Sequence, residues 1–100
     1  MADENIIILE EAAKAGRDVP PGQTYRIRVD KENFDLTVDH LTGEQILDLV
    51  KKKPKDWKLF EHVRGNQPRE IQPEEVVSFT KKGLERFSTF AKDTTEGRRG

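Results

Sequence analysis

The segment Leu41-Thr42-Gly43-Glu44-Gln45-Ile46-Leu47 carries the most restrictive local signal in the chain. Thr42 is a good N-cap. Gln45, three residues on, completes a capping box, in which the two residues satisfy each other's backbone N–H groups. Leu41 before the cap and Ile46 after it sit where a hydrophobic staple would pack. Ile46, Leu47, Leu49 and Val50 then cover one helical face. Lys51, Lys52 and Lys53 fall in the last turn, where positive charge meets the negative end of the helix dipole, and Pro54 stops the helix. A helix with one apolar stripe needs an apolar surface to cover.

The residues around it supply that surface. Tyr25, Ile27 and Val29 point one way and Arg26 and Arg28 the other, as a half-buried strand requires. Asp30-Lys31-Glu32-Asn33 reads as a polar turn, and Phe34, Leu36 and Val38 resume the alternation, so the two runs form a β-hairpin. After the helix, Trp57 to Val63 reads as a strand ending at the turn Arg64-Gly65-Asn66, with a short strand at Arg69-Glu70-Ile71 pairing back on it. Gln72-Pro73-Glu74-Glu75 opens a turn or short helix that carries Val76, Val77 and Phe79 inward. Lys82-Gly83 turns into a last strand, Leu84 to Phe90. That strand must pair somewhere, and the free edge of the first strand, in the middle of the sheet, is the natural place. The expectation is an α+β chain with the β-grasp arrangement, a mixed sheet of four to five strands packed on one helix. Its domain covers residues 23–90, between an extension over 1–22 and a tail over 91–100.

The extension combines an acidic start, the run Ile6-Ile7-Ile8-Leu9, an Ala/Glu/Lys stretch of good helix propensity with Gly16 as its stop, and Pro20-Pro21-Gly22 at its boundary. It reads as partly ordered at best. The β-branched run would either add a strand to a partner's sheet or fold back on its own domain. From Ala91 onward no side chain is both apolar and larger than alanine, so the tail is expected to be mobile. It ends Arg98-Arg99-Gly100. A glycine carboxylate is unbranched and suits threading into a narrow enzyme channel, with the arginines as anchors for carboxylates. A polar terminus that merely ends in glycine fits the same residues.

Composition narrows the function. With 100 residues, 37% of them charged, the chain is small for a pocket with its own catalytic apparatus, so a non-enzymatic binding or carrier role is expected. A net charge of −1 with acids and bases interspersed argues against nucleic acid. The absence of cysteine excludes disulfides and thiolate chemistry. His40 and His62 are too few for a metal cage and read as surface residues, and no cofactor is expected. The longest apolar run is too short for a membrane span and lacks the flanks of a signal peptide, so a cytosolic protein is expected. Trp57, Leu59 and Val63 read as core or sheet packing. Phe60 and Phe90 sit on the other parity from Leu59 and Phe87, where an exposed aromatic patch would mark a partner surface. Lys51 to Lys55 read first as a helix-end cluster and second as acceptor lysines.

Val19-Pro20-Pro21-Gly22 before Tyr25-Arg26-Ile27-Arg28-Val29, Leu41 to Leu47 at the helix start, and Leu84-Glu85-Arg86-Phe87-Ser88-Thr89 together resemble ubiquitin, and more closely the bacterial multiubiquitin family. The resemblance covers roughly Val19 to Phe90. It implies a protein modifier of a ubiquitination-like operon, with an antiviral setting. Its C-terminal glycine, Gly100, would be adenylated by a ubiquitin-activating-like enzyme that reads Arg98 and Arg99. The glycine would then pass to the cysteine of a ubiquitin-conjugating-like enzyme and end on an amine of a target protein, from which a JAB-type metalloprotease could remove it. Two features depart from the pattern. Ubiquitin ends in paired glycines, whereas Gly100 follows two arginines, and the family often carries tandem domains where this chain has one. A non-conjugated β-grasp adaptor and a sulfur carrier using a C-terminal thiocarboxylate are the alternatives.

Overall fold

The computed structural model describes residues 6–92. In chain order they form β1 (Ile6–Ile8), α1 (Leu9–Ala15), β2 (Thr24–Val29), β3 (Glu32–Leu36), β4 (His40–Thr42), α2 (Gly43–Leu49), β5 (Trp57–Val63), β6 (Arg69–Ile71), β7 (Val76–Ser78) and β8 (Leu84–Ala91). The alternation in β2 is realised in full, with Tyr25, Ile27 and Val29 at most 1% exposed. The Tyr25 hydroxyl, carried into the interior with its ring, donates to the Pro20 carbonyl at 2.6 Å. The hairpin turn is tighter than its polar sequence suggests. Glu32 and Asn33 already pair with Val29 and Arg28, which leaves Asp30 and Lys31 to turn, and Asp30 has a φ of 55°.

Helix α2 begins as its capping box requires. Gln45 N donates to Thr42 Oγ1 at 3.2 Å and Thr42 N donates to Gln45 Oε1 at 2.9 Å. Two more N-terminal donors, Gly43 N and Glu44 N, reach the Glu75 and Pro73 carbonyls at 2.9 Å each, so the loop after β6 docks on the helix start. Gly43 is required there, because a Cβ would collide with the Gln72 carbonyl oxygen. The helix does not run on to Pro54. Lys51 takes a left-handed φ of 60° and donates to Asp48 O, while Lys52 N donates to Leu47 O at 3.0 Å. This pair of bonds is a Schellman ending, with a lysine where glycine is usual. The lysines expected in the last turn therefore leave the helix, and Lys52 is turned back toward the sheet.

The segment after β6 is a strand. Residues 76–78 pair with β4 in a separate two-stranded sheet, in the register Leu41 opposite Val77. A strand alternates, so Val77 and Phe79 are buried, whereas Val76, expected to point inward, is 61% exposed.

The main sheet runs β1-β2-β8-β5-β6, with β3 on the other side of β2. Its core face meets α2 and the β4–β7 ribbon through Ile27, Ile46, Leu59, Val77, Phe79 and Phe87. A hairpin, a helix and a last strand returning parallel beside the first make a β-grasp. Within residues 6–92 two features enlarge it beyond four to five strands on one helix. The run Ile6–Ile8 folds back on its own domain as a strand parallel to β2, and α1 packs against β8 and β2. Leu9, Ala12 and Ala13 are each 2% exposed, and Leu9, Ala12 and Val19 belong to the same core as the sheet. The extension over 1–22, read from sequence as partly ordered at best, thus contributes Leu9, Ala12 and Val19 to the core within its described part, while residues 14–18 and 20–22 stay exposed. Small alanines hide the helix's apolar stripe from a hydrophobicity count yet let it approach the sheet closely. Gly16 ends α1 as expected, with a φ of 69°.

Leu9→Ala is expected to cost about 3 kcal/mol in denaturant unfolding, the usual loss for a fully buried leucine. An unchanged midpoint would mean that the segment does not contribute to the core.

Candidate partner surface and the end of strand β8

Strands β5 and β8 are antiparallel neighbours, with Lys58 opposite Phe90, Phe60 opposite Ser88 and His62 opposite Arg86. Alternation sends Leu59, Glu61 and Phe87 to the core side. Lys58, Phe60, His62, Arg86, Ser88 and Phe90 take the outer face. The two phenylalanines lie on a diagonal of that face and meet edge to face, with ring centroids 5.4 Å apart and planes at 85°. Phe60 is half-buried, while Phe90 is 58% exposed. Phe60 and Phe90 thus share the outward parity expected of them, touch each other, and leave Phe90 open to solvent.

Beside this pair, His62 Nε2 lies 2.8 Å from Ser88 Oγ. Burial, followed by the charge of Arg86, pushes its imidazole below the usual range, so it is neutral near pH 7. His40 is exposed on β4, with Nδ1 2.7 Å from Asp39 Oδ1. Among the described residues no group of three or more His, Cys, Asp or Glu is gathered as a metal site, and no helix is long and apolar enough to cross a membrane. On the β2 and β3 part of the sheet, Arg26 grips Asp35 through two bonds of 2.7 and 3.1 Å, and Arg28 reaches Glu10 of α1 at 3.2 Å.

Two polar clusters escaped the sequence reading. Glu61, at an inward position of β5, is 2% exposed, and its Oε2 accepts from Arg69 Nε at 3.0 Å and Lys81 Nζ at 2.8 Å. Arg69 also holds Glu75, so one buried carboxylate ties β5, β6 and the segment before β8 together. Its inward parity between Leu59 and Val63 was the available signal. The second cluster gathers at the end of β8. Asp30 Oδ1 accepts from Thr89 N at 2.9 Å, and Oδ2 accepts from Thr89 Oγ1 at 2.6 Å and Lys52 Nζ at 3.2 Å. Partial burial raises the Asp30 carboxyl, but the bonds from Thr89 and Lys52 outweigh it and hold the group below its ordinary value. Beyond this point Ala91 pairs with Trp57, and Lys92 N donates to Asp56 O at 2.8 Å. Arg98, Arg99 and Gly100, the sequence candidates for tail recognition and conjugation, lie outside the described residues.

The sheet, its helix and the strand order define a ubiquitin-like β-grasp protein. The chain matches the family model described as multiubiquitin over residues 25–92, and it belongs to that family. Comparison with curated proteins and with solved structures returns no match. The matched span starts at Tyr25, so β1, α1 and the proline-rich link lie before it.

The titrating groups fix a pH profile. Asp30 has a depressed carboxyl, and so do Asp35 and Glu75, each held down chiefly by its hydrogen bond to an arginine. A depressed carboxylate stabilises the fold above its unfolded pKa, and that stabilisation is lost as pH falls through the folded value. His62, depressed by burial, acts in the same direction from about pH 6.5 downward. Stability is expected to decline below about pH 6.5 and more steeply below about pH 4. Asp30→Asn should lower the stability at neutral pH and flatten the acid limb, and a parallel decline in both proteins would refute the assignment of Asp30.

Proposed function

We propose that this chain is a ubiquitin-like protein modifier that performs no catalysis itself and is conjugated through its C-terminal glycine, Gly100. Membership of the multiubiquitin family supports the reading. The observation that carries it is the position of Phe90, exposed on the last strand before the C-terminal residues, where a docking enzyme would find an aromatic anchor on the body of the domain. Exposed aromatics of this kind supply much of the affinity of protein interfaces.

The chemistry belongs to the partner enzymes. A carboxylate oxygen of Gly100 attacks the α-phosphorus of ATP and expels pyrophosphate, giving an acyl adenylate on the ubiquitin-activating-like enzyme. A cysteine thiolate then attacks the acyl carbon and AMP leaves. Thioester exchange moves the acyl group to the ubiquitin-conjugating-like enzyme, and a target amine takes it as an amide while the thiolate departs. A JAB-type metalloprotease hydrolyses that amide. Arg98 and Arg99 would guide the tail by pairing with carboxylates of the activating enzyme. Phe60 and Phe90 would dock the enzyme. ATP sets this cycle in the cytosol.

Incubated with its cognate activating enzyme and ATP, the chain should form a reducible thioester that disappears on deletion of Gly100. Phe90→Ala should weaken enzyme binding about tenfold or more, as expected for an interface anchor, with little change in stability. A complex that persists without any covalent adduct would replace this reading with the adaptor, and a thiocarboxylate found by intact mass would replace it with the sulfur carrier.

A further inference from the structure

Strand β8 is paired along β5 from Leu84 to Ala91, but its other neighbour, β2, meets it in register only where Val29 faces Phe87. The chain turns away at Asp30, whose N–H donates to Phe87 O at 2.9 Å, and leaves as β3. Beyond Phe87, therefore, the β2-side edge of β8 has no strand within residues 6–92. The next backbone donor on that edge is Thr89 N, and the Asp30 carboxylate accepts it where the carbonyl of a continuing strand would otherwise be required. Lys52 Nζ closes the arrangement. It donates to Asp30 Oδ2 and to Thr89 Oγ1 at 2.8 Å, and it lies 4.0 Å from the centre of the Trp57 ring, a cation–π contact on the residue opposite Ala91. One ammonium thus joins the hairpin turn, the exit of α2, the start of β5 and the end of β8. The backbone is left-handed without glycine at both partners of this contact, at Asp30 itself with φ 55° and at Lys51, next to Lys52, with φ 60°. Such conformations persist where surrounding contacts hold them.

We propose that Lys52 is a positioning residue for the C-terminal segment. Through Asp30 and Thr89 it completes the edge of β8 that has no strand partner within residues 6–92, and fixes the last residues of the strand, and so the point at which the C-terminal segment begins. What the segment is positioned for, entry into an activating enzyme, rests on the modifier reading. The clamp itself does not. Lys52 is consequently an engaged internal cation, distinct from the exposed Lys51 beside it.

Amide exchange resolved by residue tests the clamp in the full chain. Successive N–H groups of a strand point to opposite edges, so Thr89 N reports on the clamp while Ser88 N and Phe90 N report on the β5 pairing. Lys52→Met keeps an unbranched side chain and removes the ammonium. It should speed exchange at Thr89 by about tenfold relative to Ser88 and Phe90, and Lys52→Arg should restore protection. Thr89→Val, which loses the hydroxyl but keeps the amide, should give a smaller selective rise and serves if the first variant does not fold. An equal change along all of β8, or none, would overturn the proposal. With the activating enzyme, Lys52→Met should raise KM with kcat little changed, and an unchanged KM would overturn the positioning role. If the wild-type chain forms no thioester at all, the modifier reading fails while the exchange result still decides the clamp.

Discussion

The central strand of this fold, β8, is held on one side by a long antiparallel ladder with β5 and on the other by a single residue pair. The parallel neighbours β2 and β8 meet in register only at Val29 and Phe87. Because β3 occupies the other edge of β2 along most of its length, both β1 and β8 must share the remaining one. The opening between β2 and the start of β8 is filled by β1 and α1, whose Leu9 and Ala12 join the core. At the other end, the Asp30 carboxylate and Lys52 supply the missing edge. The N-terminal arm and the lysine clamp are two answers to one shortfall, the first apolar and the second electrostatic.

Period-two alternation lets β8 serve several purposes within four residues. Phe87 is fully buried in the core, Ser88 meets His62 on the outer face, Thr89 enters the clamp, and Phe90 stands beside Phe60 in solvent. The proposed docking surface and the proposed positioning device are therefore coupled through one strand, which β5 pairs in continuous register from Arg86 to Ala91. A slip of one residue would exchange the buried and exposed phenylalanines, at the cost of the core itself.

Much of this was legible where side-chain chemistry and backbone geometry agree. The capping box, the strands at Trp57–Val63 and Arg69–Ile71, and the inward run Tyr25-Ile27-Val29 follow directly from residue type and spacing. The outward parity of Phe60 and Phe90 was legible in the same way. Other features left little local trace. The stripe on α1 is made of a leucine and two alanines, too weak an apolar signal to announce a core element. Helix α2 ends on a left-handed lysine, a conformation that lysine does not advertise, and with that ending went the position of Lys52. Glu61 is tolerated in the interior because Arg69, opposite it on β6, and Lys81, farther along the chain, both donate to it, and its inward parity was its one local trace.

The β-grasp of this chain depends on the arm that precedes the family-matched span, which adds a strand to β2 and a buried leucine to the core. Thermal unfolding of residues 17–100, followed by circular dichroism beside the intact chain, tests it directly. Loss of the cooperative transition, or a melting point lowered by about 10 °C or more, is the predicted result, since the arm carries a fully buried leucine and closes an open sheet edge. A truncated chain that melts as sharply and as high as the intact protein would mean that the arm adds nothing to the stability of the fold.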